Sequence, residues 1–369
     1  MTDVKTFSDL IAEVQERGIC GRCGGCVSFC SAGEYNALTL DADGAPTYAD
    51  EDRCLKCGIC YLICPQIAVL DDELRERHGW TAPLGPVRKM ASAAATDEAV
   101  RAAGTDGGVV TALLIHALER HVIQAAVVSR QTDAFGREVI VATTPEEIVE
   151  AAGSHYDASH AVHEAGRQYT TFSPTVREIR DLRRQDIRRI AVVGTPCQIH
   201  TVRKMQLLSV LPSDAVTLTI GLFCMENFSF DEEARAHLEE VLGARLDEIA
   251  RLNVKDDVIV TTSAGETLHV PFYLVDEFAR PACFACSDFS NEFADLSFGG
   301  LGSPGGYTTV LIRSSQGERI YNAARNAGAI QDLTFASAEG RRNHATEMMA
   351  KIASFTSRKR ARAAERMGM

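Results

Sequence analysis

Two cysteine-rich runs within residues 20–64 hold eight of the twelve cysteines of this 369-residue chain. Their members are Cys20, Cys23, Cys26 and Cys30 in the first run, and Cys54, Cys57, Cys60 and Cys64 in the second. This C-x2-C-x2-C-x3-C spacing is typical of 4Fe–4S ligands, because thiolates at short intervals in a tight loop converge on one cube. Pro65 follows the second run, as is usual, whereas Ser31 follows the first, which removes no ligand. We therefore predict two clusters in this stretch.

In doubled motifs of this kind the fourth cysteine of each run joins the cluster of the other run. We therefore predict two ligand sets: Cys20, Cys23, Cys26 and Cys64 for one cluster, and Cys54, Cys57, Cys60 and Cys30 for the other. Zinc knuckles and disulfides are the alternatives. Zinc sites usually pair two distant C-x2-C units instead of four cysteines in a row. The acidic N-terminal stretch lacks the apolar core of a signal peptide, so we expect a cytoplasmic, reducing location in which disulfides are rare.

The four remaining cysteines lie far apart in the sequence. Cys197 and Cys224 each follow an apolar, strand-like run, and Cys283 and Cys286 form a C-x2-C pair. Because the ends of neighbouring strands lie side by side, Cys197 and Cys224 can be neighbours, and a helix starting at Cys197 would favour a thiolate. This arrangement predicts a third 4Fe–4S cluster. A zinc site and plain burial of small apolar side chains remain alternatives.

Overall composition narrows the classes of partner. A net charge of −12 and a pI of about 5.4 argue against nucleic acid as a general partner. The sequence has no run of 18 apolar residues, so we expect no transmembrane segment. The basic residues Arg358, Lys359, Arg360, Arg362 and Arg366 are interpreted as a solvated helix end, with a membrane-surface or partner contact as the alternative.

The segments around the cysteine runs fit an N-terminal domain over residues 1–75. We predict an amphipathic helix at 6–17, capped by Ser8 or Asp9, and a strand–turn–strand at 37–48 between the runs. Residues 65–85 are polar and are interpreted as a linker. This pattern is that of a bacterial-type ferredoxin domain with two 4Fe–4S clusters.

Strand-like and helical patterns alternate after residue 87 and predict a mixed sheet in an α/β layer. The predicted strands are 87–96, 125–129, 139–143, 189–194 and 216–223, and the predicted helices are 109–118, 145–152, 173–184 and 196–207. From residue 246 the pattern turns β-rich and closes with helices at 316–326 and 338–366. We therefore predict an α+β protein with a second domain at 87–245 and a third at 246–369.

Seven stretches together resemble one family, the beta subunits of coenzyme F420 hydrogenases and dehydrogenases. They are 106–111 (DGGVVT), 153–156 (GSHY), 194–198 (GTPCQ), 221–224 (GLFC), 283–297, 302–305 (GSPG) and 310–313 (VLIR). The resemblance covers about residues 87 to 330. The N-terminal pair of cysteine runs is similar to members that feed a larger complex, such as the F subunit of the F420H2 dehydrogenase. No G-x-G-x-x-G dinucleotide motif follows any strand.

The resemblance implies FAD in the second domain, completed by the third, and a 4Fe–4S cluster on Cys197, Cys224, Cys283 and Cys286. It implies coenzyme F420 as the hydride substrate and names no catalytic acid or base. The implied FAD-binding residues are Asp106, Gly107, Gly108, Thr111, Gly153, Ser154, His155, Tyr156 and Lys255. Members often have lysine where this chain has His155, so a charge contact to the cofactor phosphate is weakened or replaced here.

The implied function is a two-to-one electron converter. FAD exchanges a hydride with F420, and the clusters pass single electrons to other subunits of a redox complex, either free in the cytoplasm or peripheral to a membrane complex. One alternative is a ferredoxin-dependent small-molecule reductase similar to the chlorophyllide-reducing members, with His155 or His160 as proton donor. The other is an electron-transfer subunit without a flavin. The resemblance leaves the partner complex open among hydrogenase, formate dehydrogenase, sulfite reductase and quinone-linked dehydrogenase.

Overall fold

The computed structural model describes residues 4–42, 44–131, 137–153, 169–170, 187–227, 229–230, 232–254, 257–275 and 278–368. The strands are β1 (Leu38–Leu40), β2 (Pro46–Tyr48), β3 (Lys89–Ala95), β4 (Ala125–Gln131), β5 (Arg137–Ala142), β6 (Tyr169–Thr170), β7 (Ile190–Gly194), β8 (Val216–Leu222), β9 (Ser229–Phe230), β10 (Ile249–Val254), β11 (Val258–Thr262), β12 (Thr267–Val270), β13 (Leu296–Gly299), β14 (Thr308–Ile312) and β15 (Ile330–Asp332). The helices are α1 (Phe7–Leu10), α2 (Gly25–Ala32), α3 (Ile59–Leu62), α4 (Asp71–Arg77), α5 (Glu98–Ala103), α6 (Val109–Glu119), α7 (Pro145–Glu150), α8 (Pro196–Leu207), α9 (Glu232–Leu242), α10 (Pro281–Phe284), α11 (Ser315–Asn326) and α12 (Ala338–Met367).

A large mixed sheet organises the chain, with the strand order β15-β3-β14-β13-β8-β7-β4-β5. The four neighbours β13, β8, β7 and β4 are parallel, and the strands on both flanks join antiparallel. The central parallel strands β7 and β8 are mostly apolar and mostly buried, with Thr217 and Thr219 as the polar residues of β8, as expected when helices cover both faces. The predicted mixed sheet is confirmed.

Several strands end at the same edge of this sheet. Because β14 runs antiparallel to both β13 and β3, the strands β3, β13, β8 and β7 all point the same way. We call the side on which they end the carboxyl edge. The segments that follow these strands meet there, and in open α/β sheets this is the usual place for ligands.

Helices cover both faces of the sheet. On one face α6 and α11 pack against the strands through residues such as Leu113, Ile320 and Tyr321, all buried. On the other face α8 packs through Ile199 and Val202 and also contacts the N-terminal part of the chain. The antiparallel strands β10, β11 and β12 form a separate small sheet with α9 and α12 around it.

The N-terminal segment has the predicted strand–turn–strand, with Leu38 on β1 opposite Tyr48 on β2. Its first helix begins at Phe7 and continues as a π-helical turn, Ile11–Gln15. The predicted cap was wrong, because Thr6 is the N-cap and donates its amide to Asp9 Oδ2 at 2.6 Å. Asp9 is therefore the third residue of a capping box instead of the cap itself.

The prediction that residues 65–85 form a linker was wrong. This segment contains α4, whose Leu74 is fully buried, and its Trp80 donates to Glu292 Oε2 at 2.5 Å. Asp71 forms an ion pair with Lys204 on α8 at 2.8 Å. The segment looked like a linker because α4 has a single apolar residue, which is enough when its polar residues pair with the neighbouring helix.

The division into three domains stays a prediction. The large sheet takes strands from both sides of residue 246, since β3 pairs with β14 and β15. Helix α9 and strands β10 and β15 were not predicted, and the helix predicted at 173–184 lies outside the described residues. No helix of the described ranges is both long and apolar enough to cross a membrane.

Candidate functional site

The structure brings the eight N-terminal cysteines together in two groups, each around its own narrow cavity. The first cavity is lined by Cys20, Cys23, Cys26 and Cys64, which we call the middle quartet. The second is lined by Cys30, Cys54, Cys57 and Cys60, which we call the outer quartet. The fourth cysteine of each run therefore lies in the other group, as the doubled motif requires. The clusters themselves stay a prediction.

Two tight backbone turns build these groups. Arg22 and Lys56, at matching positions in the two runs, have φ of 53° and 52°. Gly24 and Gly58 follow with φ of 74° and 76° and cap the helices α2 and α3. Non-glycine residues enter this left-handed region only at a cost of about 1 kcal/mol or more. The turn aims backbone amides at the sulfur atoms, for example from Arg22 to Cys20.

The remaining four cysteines meet at the carboxyl edge, and we call them the sheet-edge quartet: Cys197, Cys224, Cys283 and Cys286. Cys197 starts α8 directly after β7, and Cys224 follows the neighbouring parallel strand β8. Cys283 lies on α10 and Cys286 just after it. After burial, the negative charge of Cys286 is among the causes that raise the pKa of both Cys197 and Cys224. The expected proximity of Cys197 and Cys224 follows from their places after neighbouring strands, and the four-cysteine ligand set stays a prediction.

Asn291 fixes the two strand ends that position this quartet. Its amide donates to the carbonyl oxygens of Gly194 at 2.9 Å and Leu222 at 3.3 Å, which end β7 and β8. A β-carbon on Gly221 would lie 2.2 Å from Asn291 Cγ, so glycine is required there. The quartet thus depends on the register of the sheet and on one fully buried amide.

Hydrogen-bond donors surround the sulfur atoms of the sheet-edge quartet. The amide N–H of Asn227 donates to Cys283 Sγ at 3.3 Å, and its side-chain Nδ2 donates to Cys224 Sγ at 3.6 Å. Thr195 Oγ1 lies 3.3 Å from Cys197 Sγ. Donors of this kind favour the thiolate over the thiol, and thiolate is the form that ligates metal.

Burial acts in the opposite direction on the free thiols. It raises the pKa of Cys224, on the sheet-edge quartet, and that of Cys60, on the outer quartet, to about 12. At neutral pH these groups would hold their protons unless a metal displaces them. The donors and the four convergent thiols therefore fit an iron–sulfur cluster. Among the described residues no three His, Cys, Asp or Glu side chains are arranged to hold a single metal ion.

The sheet-edge and middle quartets adjoin each other. Thr201 Oγ1 donates to the carbonyl oxygen of Cys197 at 3.0 Å and lies 3.4 Å from Cys23 Sγ. A β-carbon on Gly21 would lie 3.8 Å from Cys197 Sγ. Arg280 completes the joint by donating to the carbonyl oxygen of Gly21 at 3.3 Å. Residues from both parts of the chain therefore form one continuous contact here.

The middle and outer quartets are also neighbours. Cys60 of the outer quartet also lines the cavity of the middle quartet. After burial, the negative charge of Cys60 is among the causes that raise the pKa of Cys26 in the middle quartet. At the far side of the outer quartet Cys57 is exposed, and the adjacent Leu55 is 64% exposed. The three quartets therefore form a row that begins at the carboxyl edge and ends at the protein surface.

The predicted FAD-side glycines lie at the same carboxyl edge but have a structural reason of their own. A β-carbon on Gly107 would lie 2.6 Å from the carbonyl oxygen of Ala93 on β3. One on Gly108, whose φ is 69°, would lie 2.7 Å from the carbonyl oxygen of Val100. Close backbone packing thus requires both glycines, and they carry no separate information about a cofactor.

Two glycine-containing segments meet at this edge. A β-carbon on Gly300, in the loop after β13, would lie 2.6 Å from Asp106 Oδ2, and Gly107 donates its amide to Thr308 Oγ1 at 2.9 Å. In the same loop, the Cβ positions of Gly305 and Gly306 open onto free space. The turn before α6 and this loop are therefore parts of one surface.

The other predicted FAD residues are placed as follows. Thr111 is buried in the first turn of α6, and Gly153 follows α7 with φ of 93°. Ser154, His155, Tyr156 and Lys255 lie outside the described residues. Their predicted roles stay predictions.

The interpretation of the basic residues near the C-terminus as a solvated helix end was wrong for three of the five, since only Arg358 and Arg366 are exposed. Lys359 is 1% exposed, Arg360 donates to Glu292 at 2.5 Å and Arg362 to Glu226 at 2.5 Å. Sequence reasoning missed these contacts, although a signal was present. On α12 the buried residues Ile352, Thr356, Lys359 and Ala363 recur at helical spacing, which places the lysine in the apolar stripe.

Two models of one family, the coenzyme F420 hydrogenase/dehydrogenase beta subunits, match the chain. The model of the N-terminal part of these beta subunits matches residues 90–164, and the model of their C-terminal part matches residues 187–336.

Two similar proteins and one solved structure agree with these matches. The chain is 33% identical to the coenzyme F420 hydrogenase beta subunit of Methanococcus voltae, over 68% of this chain and 85% of that protein. It is 29% identical to the F subunit of the F(420)H(2) dehydrogenase of Methanosarcina mazei, over 87% of each. A chain from the F420-reducing NiFe hydrogenase complex of Methanosarcina barkeri superposes with a TM-score of 0.61 at 28% identity, covering 74% of this chain and 93% of that one.

Proposed function

The chain belongs to the family of coenzyme F420 hydrogenase/dehydrogenase beta subunits, and we propose that it is the F420-linked flavoprotein subunit of a larger redox complex. In this proposal it exchanges hydride between coenzyme F420 and bound FAD. Single electrons then pass between the flavin and partner subunits by way of three 4Fe–4S clusters. The family match supports the F420-linked electron transfer, whereas the cofactors and their ligands are our own proposal.

The observation that carries this proposal is the row of three cysteine quartets. The sheet-edge quartet lies beside the segments that the family resemblance assigns to FAD, at the carboxyl edge. The outer quartet ends at exposed Cys57. A row with one end at a ligand-binding edge and the other at the surface is what a hydride-to-single-electron converter needs.

We assign the ligands by quartet. The middle and outer quartets hold one 4Fe–4S cluster each, and the sheet-edge quartet holds the third. We assign FAD binding to Asp106, Gly107, Gly108 and Thr111 and, following the family resemblance, to Gly153, Ser154, His155, Tyr156 and Lys255. When bound, FAD would supply the ability to take electrons as a pair and release them singly, and the clusters would supply single-electron steps.

The chain's own residues position these groups. Asn227 directs donors at two sulfur atoms of the sheet-edge quartet, Thr195 Oγ1 contacts a third, and Asn291 holds the strand ends beneath it. Thr201 and Arg280 connect that quartet to the middle one. Hydride exchange between stacked rings requires no side-chain acid or base, so the protein's part is to hold the rings and exclude water.

Partner subunits would dock beside the outer quartet. Electron transfer needs short distances, and this is the quartet with an exposed cysteine and a neighbouring exposed leucine. We therefore assign electron exit, or electron uptake in the reverse direction, to this end of the row. The proposal places the protein in the cytoplasm, either free or peripheral to a membrane complex.

Anaerobic iron analysis followed by rapid mixing tests the proposal. We expect about twelve irons and one FAD per chain, and bleaching of the flavin and the clusters by reduced F420 but not by NADH or NADPH. Eight irons, or zinc in place of four, would remove the third cluster. Reduction by ferredoxin alone would favour the chlorophyllide-reductase-like alternative. A purified chain that binds no flavin under any loading condition would favour the non-flavin electron carrier.

A further inference from the structure

Four Lys and Arg side chains are buried within the described ranges: Lys204, Arg280, Arg313 and Lys359. Arg313 donates to the main chain of Leu84, Pro86 and Ser290 and has a structural role. The other three lie against the cysteine quartets. A buried cation is costly unless negative charge compensates it, so each of these three requires a partner.

Lys204 and Lys359 have different partners. Lys204 Nζ donates to the carbonyl oxygen of Cys64 at 3.0 Å, but it also forms an ion pair with Asp71 at 2.8 Å. Lys359 Nζ donates to the carbonyl oxygen of Cys224, and among the described residues no carboxylate lies within ion-pair distance of it. Burial opposes the positive charge of Lys359, but the negative charges of Cys286, Cys224 and Cys283, and then that of Asp288, raise its pKa.

Lys359 is therefore a buried ammonium whose compensation comes from the sheet-edge quartet. Four thiolates on a 4Fe–4S cluster carry net negative charge, and reduction by one electron adds a further negative charge. A fixed cation beside the cluster stabilises the reduced form more than the oxidised form, since Coulomb energies are large where water is excluded. The outer quartet has no buried Lys or Arg among the described residues.

Two ion pairs hold the lysine in place. On the turns around Lys359, Arg360 pairs with Glu292 and Arg362 pairs with Glu226, and both carboxylates are buried. Arg362 also lies over the ring of Phe284 at 4.5 Å, on the helix that carries Cys283. Helix α12 lies beyond residue 336, where the family match ends. The arrangement is thus supplied by this chain's C-terminal helix.

We propose that Lys359 is a positioning residue for electron transfer, one that raises the reduction potential of the cluster on the sheet-edge quartet above that of the outer cluster. This inference rests on the proposed function, because it requires the third cluster. An electron released at the carboxyl edge would then be held next to the flavin until the middle cluster takes it. Reverse transfer into the flavin would be driven only when the outer clusters are strongly reduced.

A potentiometric titration monitored by electron paramagnetic resonance tests this on the whole, cluster-loaded protein. For Lys359→Met we expect the reduction equilibrium of one cluster to become at least tenfold less favourable, which is about 59 mV for a one-electron couple. The other two midpoints should move much less. The matched control is Lys351→Met, which removes the same charge from an exposed position of the same helix and should leave all three midpoints unchanged.

Two more variants keep the result decisive if Lys359→Met loses four irons. Lys359→Arg keeps the charge and should keep the cluster and its midpoint, whereas Lys359→Gln keeps a donor without the charge and should behave like the methionine variant. Loss of the cluster in the arginine variant as well would overturn the proposal, because the role would then be packing. Twelve irons with three unmoved midpoints in Lys359→Met would also overturn it. Eight irons in the wild-type protein would instead overturn the third cluster of the proposed function.

Discussion

The outer and sheet-edge quartets have the same four thiols but are built in opposite ways. The outer quartet takes three cysteines from one short run, residues 54–60, which is wound by the left-handed turn at Lys56 and Gly58, and the fourth, Cys30, from the end of the first run; it ends at an exposed cysteine. The sheet-edge quartet comes from three separate segments within residues 197–286, brought together by two parallel strand ends. The first is a property of local sequence and the second is a property of the whole sheet.

This difference determines how far each quartet depends on its surroundings. The outer quartet needs its two loops and the short strands β1 and β2. The sheet-edge quartet needs the register of β7 and β8, the amide of Asn291 and the buried charge of Lys359. A local site is easily transferred between proteins, whereas a site made by a sheet edge is tied to one fold and to the ligand bound at that edge.

The largest effect expected from this comparison is on electron flow. Cys57→Ser should remove one cluster, lowering the iron content from about twelve to about eight, and should abolish steady-state transfer to a partner or artificial acceptor. Flavin bleaching by reduced F420 should remain, because the proposed FAD site and the outer quartet lie at opposite ends of the row. Cys197→Ser should also remove one cluster, but here the remaining clusters should no longer be reduced from the flavin.

Single-turnover mixing under anaerobic conditions, read at flavin and cluster wavelengths, distinguishes the two variants. Each serves as the control for the other, since both lose one cysteine and one cluster. If Cys57→Ser kept its FAD but lost flavin reduction, the two ends would not be separate. If Cys197→Ser still passed electrons from flavin to the remaining clusters, the row would not begin at the sheet edge.

The outer and middle quartets could be predicted from the sequence because their geometry is encoded in short intervals. The grouping by crossover follows from spacing alone and agrees with the cavities that the cysteines line. The mixed sheet could also be predicted, since its central parallel strands are mostly apolar and alternate with helical patterns. The neighbourhood of Cys197 and Cys224 followed from the rule that adjacent strand ends lie side by side.

The contacts between these parts could not be predicted. The spacing of Ile352, Thr356 and Ala363 places Lys359 in the apolar stripe of α12, but the sequence does not show which segment that stripe packs against. The burial of Lys204 likewise depends on packing between segments distant along the chain. The segment at 65–85 was misread for the same reason, because its polar residues pair with α8 instead of facing solvent. Polar side chains that pair between segments distant along the chain leave no recognisable pattern in the sequence of either segment.

The second prediction concerns the contact between the N-terminal part of the chain and α8, which packs on the sheet. We expect an intermediate effect, on stability. Lys204 is fully buried and pairs with Asp71 on α4. Lys204→Met should lower the unfolding free energy by about 3 kcal/mol, because removing the ammonium of a buried pair leaves the Asp71 carboxylate with only His200 as an ion-pair partner among the described residues. The measurement is the shift in urea midpoint under anaerobic conditions, followed by circular dichroism.

Arg75→Met is the matched control on the same helix. Arg75 pairs with Asp72 at 3.0 Å, but Asp72 is almost fully exposed and Arg75 half exposed. Its removal should change the unfolding free energy by at most about 0.5 kcal/mol. Equal effects of the two variants would mean that α4 does not fix the N-terminal region to the sheet.

The smallest expected effect is on the pH dependence of stability, at the same contact between the N-terminal part of the chain and the sheet. His78, at the end of α4, packs edge-on against Phe293 with 5.8 Å between the ring centroids. Burial, and then the positive charge of Arg203, lowers the pKa of His78 to about 4. In the unfolded chain a histidine has a pKa of about 6.5, so the unfolded state takes up a proton first as the pH falls. The neutral-His78 contribution to stability is therefore complete above pH 6.5, is lost progressively between pH 6.5 and 4, and changes no further below.

His78→Gln should remove this dependence. Between pH 7 and pH 5 the unfolding free energy of the wild-type protein should fall by about 1 kcal/mol more than that of the variant, since about half of the ideal linkage is expected for a partly screened group. The control is His269→Gln, which removes an exposed ring from β12 and should retain the wild-type slope. If His78→Gln kept the wild-type dependence of unfolding free energy on pH, the His78 ring would be solvated in the folded protein. The N-terminal part of the chain would then be less tightly packed on the sheet than the contacts of α4 indicate.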